Sequence, residues 1–217
     1  MVAIAPSKVA LVTGASRGIG LEFCKQLKAK NNVVIAGCRE PKDFDTSLVD
    51  DVFQLDVSSQ ESIESFAAAV ADKYPHLDLV INNAGVYGER VGFTDVTADT
   101  MLHVFNTNAV GPLMITQALY SKGVLGGKSG TTLAHITSKM GSVDDNGSGS
   151  SYAYRASKSA LNIISKSLSI DLEPSNINST CMSWTRLHTP TRLFDYLTHS
   201  CITLASAASG MGHYGHG

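Results

Sequence analysis

No apolar run in this chain approaches the ~20 residues that a membrane span needs. Nor does one sign of charge dominate: 17 Lys and Arg against 19 Asp and Glu leave a formal net charge of −2. That balance gives no electrostatic case for a nucleic acid or an anionic membrane surface as partner. Cysteine is scarce. Cys24, Cys38, Cys181 and Cys201 have no paired-ligand spacing and are too few for a disulfide framework, so they read as reduced thiols. The opening Met1-Val2-Ala3-Ile4-Ala5 lacks a basic flank and is broken by Pro6. This argues against a signal peptide and makes the cytoplasm the expected location. Repeats and low-complexity tracts are also missing, and nothing marks a second domain.

What is present is the composition of a globular enzyme, 43% hydrophobic and 17% charged. A chain of 217 residues reads as one domain over 1–217, long enough to bury roughly 70% of the surface its unfolded form exposes. The organising stretch is Thr13-Gly14-Ala15-Ser16-Arg17-Gly18-Ile19-Gly20, between the apolar run Val9–Val12 and a segment with helical spacing that reaches about Lys30. A strand, a glycine turn and a helix N-terminus form an arrangement that binds a dinucleotide pyrophosphate. Its spacing is G-x-x-x-G-x-G, and alone it is also compatible with an ordinary βα turn.

Strand and helix signals then alternate. Val33–Ala36 and Val52–Leu55 read as strands, with a polar loop over 40–51 between them. Ser58 and Glu61 have the spacing of a capping box opening a helix to about Tyr74. Leu77–Ile81 reads as a fourth strand, running into Asn82-Asn83-Ala84-Gly85, and a loop spans 86–98. A long helix is expected over 99–122, kinked where Gly111-Pro112 interrupts it. Thr131–Thr137 reads as a fifth strand, 139–151 as a mobile loop, and 151–173 as a helix. The alternation predicts an α/β fold, a single doubly wound parallel sheet of Rossmann type.

Two sets of residues carry chemistry. After the second strand the chain reads Gly37-Cys38-Arg39, where enzymes selective for NAD place a carboxylate on the ribose 2′-hydroxyl. An arginine there suits a 2′-phosphate, and Arg17 adds a second positive charge, so NADP(H) is the expected cofactor. Tyr154 and Lys158 are four apart on a helix and share one face. A cation ~4–5 Å from a phenol at an effective dielectric of about 20 is worth roughly 3–4 kcal/mol, or 2–3 pKa units. That spacing predicts a Tyr154 able to exchange a proton near neutral pH. Ser138, at the end of the fifth strand, is expected beside them.

In order along the chain, the glycine stretch at 13–20, Asn82-Asn83-Ala84-Gly85, Asn108 in an N-x-x-G-P context, Ser138 before x-x-Gly, and Tyr154-x-x-x-Lys158 are five motifs. Together they resemble the classical short-chain dehydrogenase/reductase family, over residues 8 to about 175. Ser138–Ser142 and Tyr152–Lys158 look most like the C-factor and sniffer branch of carbonyl reductases. The resemblance implies an NADPH-dependent oxidoreductase that reduces the carbonyl of a small aldehyde, ketone or quinone. In that reading Tyr154 is the general acid, Lys158 lowers its pKa and holds the nicotinamide ribose, and Ser138 binds the carbonyl oxygen. Asn108 positions a water between Lys158 and solvent. Gly14, Ser16, Arg17, Gly18, Ile19, Gly20 and Arg39 line the cofactor with Tyr154 and Lys158. Asp56 and Val57 flank the adenine, and Asn83, Ala84 and Gly85, after Asn82, support the cleft. Family members often pair through the helices around 99–122 and 151–173, so a homodimer is an expected state.

Beyond Pro174 the resemblance breaks, leaving 176–217 as an atypical tail. The family pattern has a strand and then a Pro-Gly turn over the nicotinamide. Here Asn178-Ser179-Thr180 makes a poor central strand, and Trp184-Thr185-Arg186 follows without any Pro-Gly pair. Cys201–Ala205 is the only later apolar candidate, and His213-x-x-His216 has no third ligand, so no metal site is expected. The missing turn motivates an alternative: a dinucleotide-binding regulatory or interaction protein without turnover.

Overall fold

The computed structural model describes residues 7–183. Within them six parallel strands lie in the order β3-β2-β1-β4-β5-β6. The strands are β1 (Val9–Thr13), β2 (Val33–Cys38), β3 (Asp51–Gln54), β4 (Leu79–Asn82), β5 (Thr131–Thr137) and β6 (Ile177–Ser183). The order reverses between β1 and β4, and ligands of such sheets sit in the crevice at the strands' C-terminal ends there.

Period-two alternation divides the core. Ala10, Val12, Ala134, Ile136 and Met182 face one side, where Phe23 and Leu27 of α1 (Gly18–Ala29) cover them. Leu11, Ile35, Val80 and Leu133 face the other, against Ile63 and Phe66 of α2 (Gln60–Lys73) and Ile115 and Leu119 of α4 (Gly111–Ser121). Burial on both faces explains why β1, β2 and β4 read as continuous apolar runs. The expected doubly wound sheet is the observed one.

The expected kink is a change of helix type. After α3 (Ala98–Phe105), residues Asn106–Val110 wind as a single π-turn before α4 begins. Pro112 has no N–H to give the carbonyl four residues back, and its ring crowds that carbonyl, which belongs to Asn108.

Two sequence expectations need correction. The cap of α2 is not the Ser58–Glu61 box: Ser59 occupies the N-cap and accepts from the Ser62 amide, while Ser58 bonds to Asp56. The unpromising segment after Pro174 does form a strand. β6 pairs with β5 over seven consecutive positions from Thr131↔Ile177 to Thr137↔Ser183. Its buried Ser179 is tolerated because its hydroxyl lies 3.0 Å from that of Ser165 on α5 (Tyr152–Asp171). Trp184-Thr185-Arg186, Cys201–Ala205 and His213-x-x-His216 lie outside the described residues. Among the described residues no helix is long and apolar enough to cross a membrane.

Candidate active site

The glycine turn has the form an anion cradle requires. Gly18 has φ +57, and a Cβ there would meet nothing within 4 Å, so the backbone at the α1 N-terminus borders open space. Gly20 does the opposite work: a Cβ on it would sit 2.3 Å from the Gly14 carbonyl oxygen and 2.5 Å from Asn83 Nδ2. The helix therefore packs directly on the turn. Arg17, the N-cap, makes no side-chain cap bond, and no acidic residue lies in the first turn. The first-turn amides, which lack partners within the helix, are left for an anion. Ser16 and Arg17 are exposed on the same turn and Ile19 is half-buried behind it. These residues fit a dinucleotide pyrophosphate.

Asn83 ties this turn to β4. Its Nδ2 donates to the carbonyls of Thr13 at 3.0 Å and Gly14 at 3.1 Å. Thr13 Oγ1 accepts in return from the amides of Asn83 and Ala84, both at 3.1 Å. A Cβ on Gly14 would come within 2.7 Å of Ala84 Cα, so the two loops touch backbone to backbone. Arg39 follows β2 directly and is exposed. Asp56, beyond β3, accepts from the Ser58 hydroxyl at 2.6 Å and amide at 2.9 Å; these bonds, with the charge of Arg39, hold its carboxyl below the usual range. Val57 is buried against Gly111, where a Cβ would stand 2.5 Å from the Val57 carbonyl oxygen.

Asn108 sits in the π-turn and is fully buried. Its Oδ1 accepts from the Val86 amide at 2.8 Å, and its Nδ2 donates to the Val86 carbonyl at 2.8 Å and to Ser157 Oγ at 3.0 Å. One side chain thus holds the β4 exit to α5. Gly85 is part of the same junction, since a Cβ on it would lie 3.1 Å from Asn108 Oδ1 and 3.7 Å from Lys158 Nζ.

Ser138 follows β5 directly, and its Oγ accepts from the Met140 amide at 3.2 Å. The first turns of α5 bring Tyr154 and Lys158 to it. Lys158 is buried; its Nζ donates to the Ile136 carbonyl at 2.7 Å and lies 5.7 Å from the Tyr154 ring centroid. The structure brings these groups together, as the spacing predicts. Burial lifts Tyr154 above the ordinary phenol range, a hydrogen bond with Ser138 opposing it. Burial brings Lys158 down to about 8. Burial is the larger effect on the phenol and outweighs the Ser138 hydrogen bond.

Sequence reasoning missed Thr13, Tyr87, His135 and Ser157. Tyr87 stacks on Tyr154 with centroids 4.5 Å apart and planes at 28°. His135 is fully buried in β5, its Nδ1 3.3 Å from Asn82 Nδ2, and its Nε2 has no partner. The signal for Tyr87 was an aromatic two residues past the Asn-Asn-Ala-Gly turn, in a loop that must border the crevice. His135 stands in an apolar strand and offered no signal of its own.

Residues 8–194 match the short chain dehydrogenase family. The chain belongs to that family. The match runs through β6 and past it, beyond the point where the motifs fade. Among its relatives, the 1-hydroxy-2-glutathionyl-2-methyl-3-butene dehydrogenase of Rhodococcus sp. is 32% identical over 203 residues, 93% of this chain and 87% of the relative. C-signal of Myxococcus xanthus is 44% identical over 101 residues, 45% of this chain and 58% of that protein. Two solved structures share the fold across 82% of the chain. The NADPH-bound carbonyl reductase from chicken fatty liver has 30% identity and TM-score 0.72, with 75% of it covered. The carbonyl reductase Sniffer of D. melanogaster has 26% identity and TM-score 0.73, with 80% covered. The short-chain dehydrogenase assignment and the C-factor and sniffer likeness of the motifs therefore agree.

Proposed function

We propose that this short-chain dehydrogenase is an NADPH-dependent reductase of the carbonyl group in a small aldehyde, ketone or quinone. The observation that carries the reading is the convergence of Ser138, Tyr154 and Lys158 at the C-terminal end of β5, beside the glycine turn. When bound, the nicotinamide supplies the hydride that forms the new C–H bond and is itself oxidised. Tyr154 gives its phenolic proton to the carbonyl oxygen, completing the alcohol, and Ser138 bonds the same oxygen. Lys158 holds the ribose and favours the phenolate left behind, and Asn108 connects it to solvent. Arg17 and Arg39 hold the 2′-phosphate; Asp56 and Val57 flank the adenine; Asn83, Ala84 and Gly85 shape the cleft with Gly14, Ser16, Gly18, Ile19 and Gly20. The exposed arginine directly after β2 supports NADPH over NADH, as does the NADPH-bound relative. We assign the protein to the cytoplasm on its sequence. A second copy covers Leu102 and Phe105 of α3 and Ile163 and Ile170 of α5, apolar side chains exposed on neighbouring helices.

The test is turnover with NADPH across a panel of aldehydes, ketones and quinones, alongside thermal melts with each cofactor. Saturation at ~100 times the dissociation constant stabilises the fold by about 2.7 kcal/mol. Reduction that survives intact in Tyr154→Phe overturns the proton-donor role. The missing Pro-Gly turn supports a second reading, a dinucleotide-binding protein without turnover, for which NADPH raises the melting temperature while no carbonyl is reduced.

A further inference from the structure

Tyr87, a residue with no part of its own in the hydride and proton steps, is held from both sides of the chain and from its ring. Before it, Val86 exchanges both of its backbone bonds with Asn108, each at 2.8 Å. After it, Gly88 has φ +74 and lies so close to α3 that a Cβ would come within 2.7 Å of Val104 Cγ2. The ring between these anchors stacks on Tyr154. The hydroxyl is 3.0 Å from Ser151 Oγ and donates to Met140 Sδ at 3.7 Å.

Ser151 is the more telling partner. It occupies the N-cap of α5, the position where a serine ordinarily accepts from the helix's own amides, yet it makes no side-chain cap bond. Its backbone is left-handed, φ +52, and follows Ser150 at φ +54. Residues with a Cβ rarely enter that region, and two in succession require outside support. Arg155 supplies it: Nε donates to the carbonyls of Gly149 and Ser150, both at 3.2 Å, and Nη2 to Ser148 Oγ at 2.9 Å. The helix entry is thus bent away from its usual cap, and the buried Ser151 hydroxyl is spent on Tyr87.

We propose that Tyr87 is a positioning residue for Tyr154: its ring backs the phenol ring, and its tie to Ser151 fixes the direction of the Tyr154 hydroxyl. The proposal rests on Tyr154 being the proton donor. A half-buried phenol on a helix surface keeps rotational freedom about its side-chain torsions, and an offset stacked neighbour removes most of it. Proton transfer to a carbonyl oxygen is sensitive to displacements of about 1 Å, which can cost 100-fold in rate. The same ring keeps water from the phenol, in line with the burial that raises the Tyr154 pKa.

The experiment compares Tyr87→Phe, Tyr87→Leu, Ser151→Ala and the Tyr87→Phe/Ser151→Ala double variant with the parent. Steady-state reduction is measured with NADPH over the carbonyl panel, and the Tyr154 phenol is titrated by ultraviolet difference against Tyr154→Phe. Tyr87→Leu lowers kcat about tenfold or more, leaves the KM for NADPH unchanged, and moves the Tyr154 titration to lower pH. Tyr87→Phe and Ser151→Ala, which keep the stack, each lower kcat by about threefold to tenfold. The double variant is no worse than either single one, because both remove the same bond. Parent-like kcat and an unmoved Tyr154 titration in Tyr87→Leu overturn the proposal. A parent without turnover defeats the reductase reading instead, and the titration alone then decides whether Tyr87 backs Tyr154.

Discussion

The Lys158 ammonium donates at 2.7 Å to the carbonyl oxygen of Ile136, on the strand that leads into Ser138. A cation so placed has left water for a single strong bond, and burial brings its pKa down to about 8. The helix that carries Lys158 beside Tyr154 thereby holds a charge the fold does not welcome, one that a bound ribose and a phenolate would each satisfy.

That burial has a sign that equilibrium unfolding can read. In the unfolded chain a lysine titrates near 10.4, so between about pH 8 and that value the unfolded state binds more protons than the native state. Stability from this group therefore rises with pH across the window, by about 3 kcal/mol in all. Lys158→Met removes the rise: subtracting its urea-unfolding free energies from the parent's, pH by pH, isolates the slope. A flat difference between pH 8 and 10 refutes it.

His135 acts in the acid range. Burial, with the nearby Lys158 charge, lowers its pKa to about 4, so the native protein holds it neutral. The unfolded imidazole protonates near 6.5, and stability falls as pH drops from there to about 4, by roughly 3 kcal/mol. His135→Gln keeps a polar side chain beside Asn82 and abolishes the titration. Its unfolding free energy is expected to vary less with pH than the parent's between 4 and 6.5; equal slopes refute the assignment.

Much of this was legible beforehand because it is local. Short apolar and β-branched runs and helical spacing place β1, β2, β5 and α5 to within about two residues, and Pro112 marks the break that becomes the π-turn. Ser138, Tyr154 and Lys158 meet because strand ends and one helical turn bring them together. What failed is tertiary. β6 reads as poor by composition, yet seven backbone pairings with β5 and the Ser165 hydroxyl hold it. Helical spacing reads only the Lys158 neighbour of Tyr154, whereas the burial that raises the phenol comes from the packing around it. Tyr87 and Ser151 are 64 positions apart, and no spacing rule joins them.

Two glycines of the cradle separate binding from folding. Gly20→Ala forces a methyl to within 2.3 Å of the Gly14 carbonyl oxygen, so helix and turn must part. A loss of about 1–3 kcal/mol in stability is expected, with or without cofactor. Gly18→Ala meets no neighbour, and its left-handed φ costs roughly 1–2 kcal/mol. Its methyl projects into the anion cradle instead. The melting-temperature gain on adding NADPH is therefore expected to shrink in Gly18→Ala well beyond what its stability loss explains. An undiminished gain places the pyrophosphate elsewhere.

Cofactor choice rests on Arg39, the exposed residue immediately after β2. Hydrogen bonds to a charged group are worth about 1.5–3 kcal/mol, roughly tenfold to hundredfold in affinity. Arg39→Asp both removes the guanidinium and sets a carboxylate against the 2′-phosphate, while offering an acceptor to the ribose 2′-hydroxyl of NADH. Arg17 remains on the glycine turn and retains part of the attraction. The ratio of dissociation constants, NADH over NADPH, is expected to fall by at least tenfold in titrations of the two cofactors. If the ratio is unchanged, the 2′-phosphate is read by another group, and Arg17→Ala is the variant that separates the two arginines.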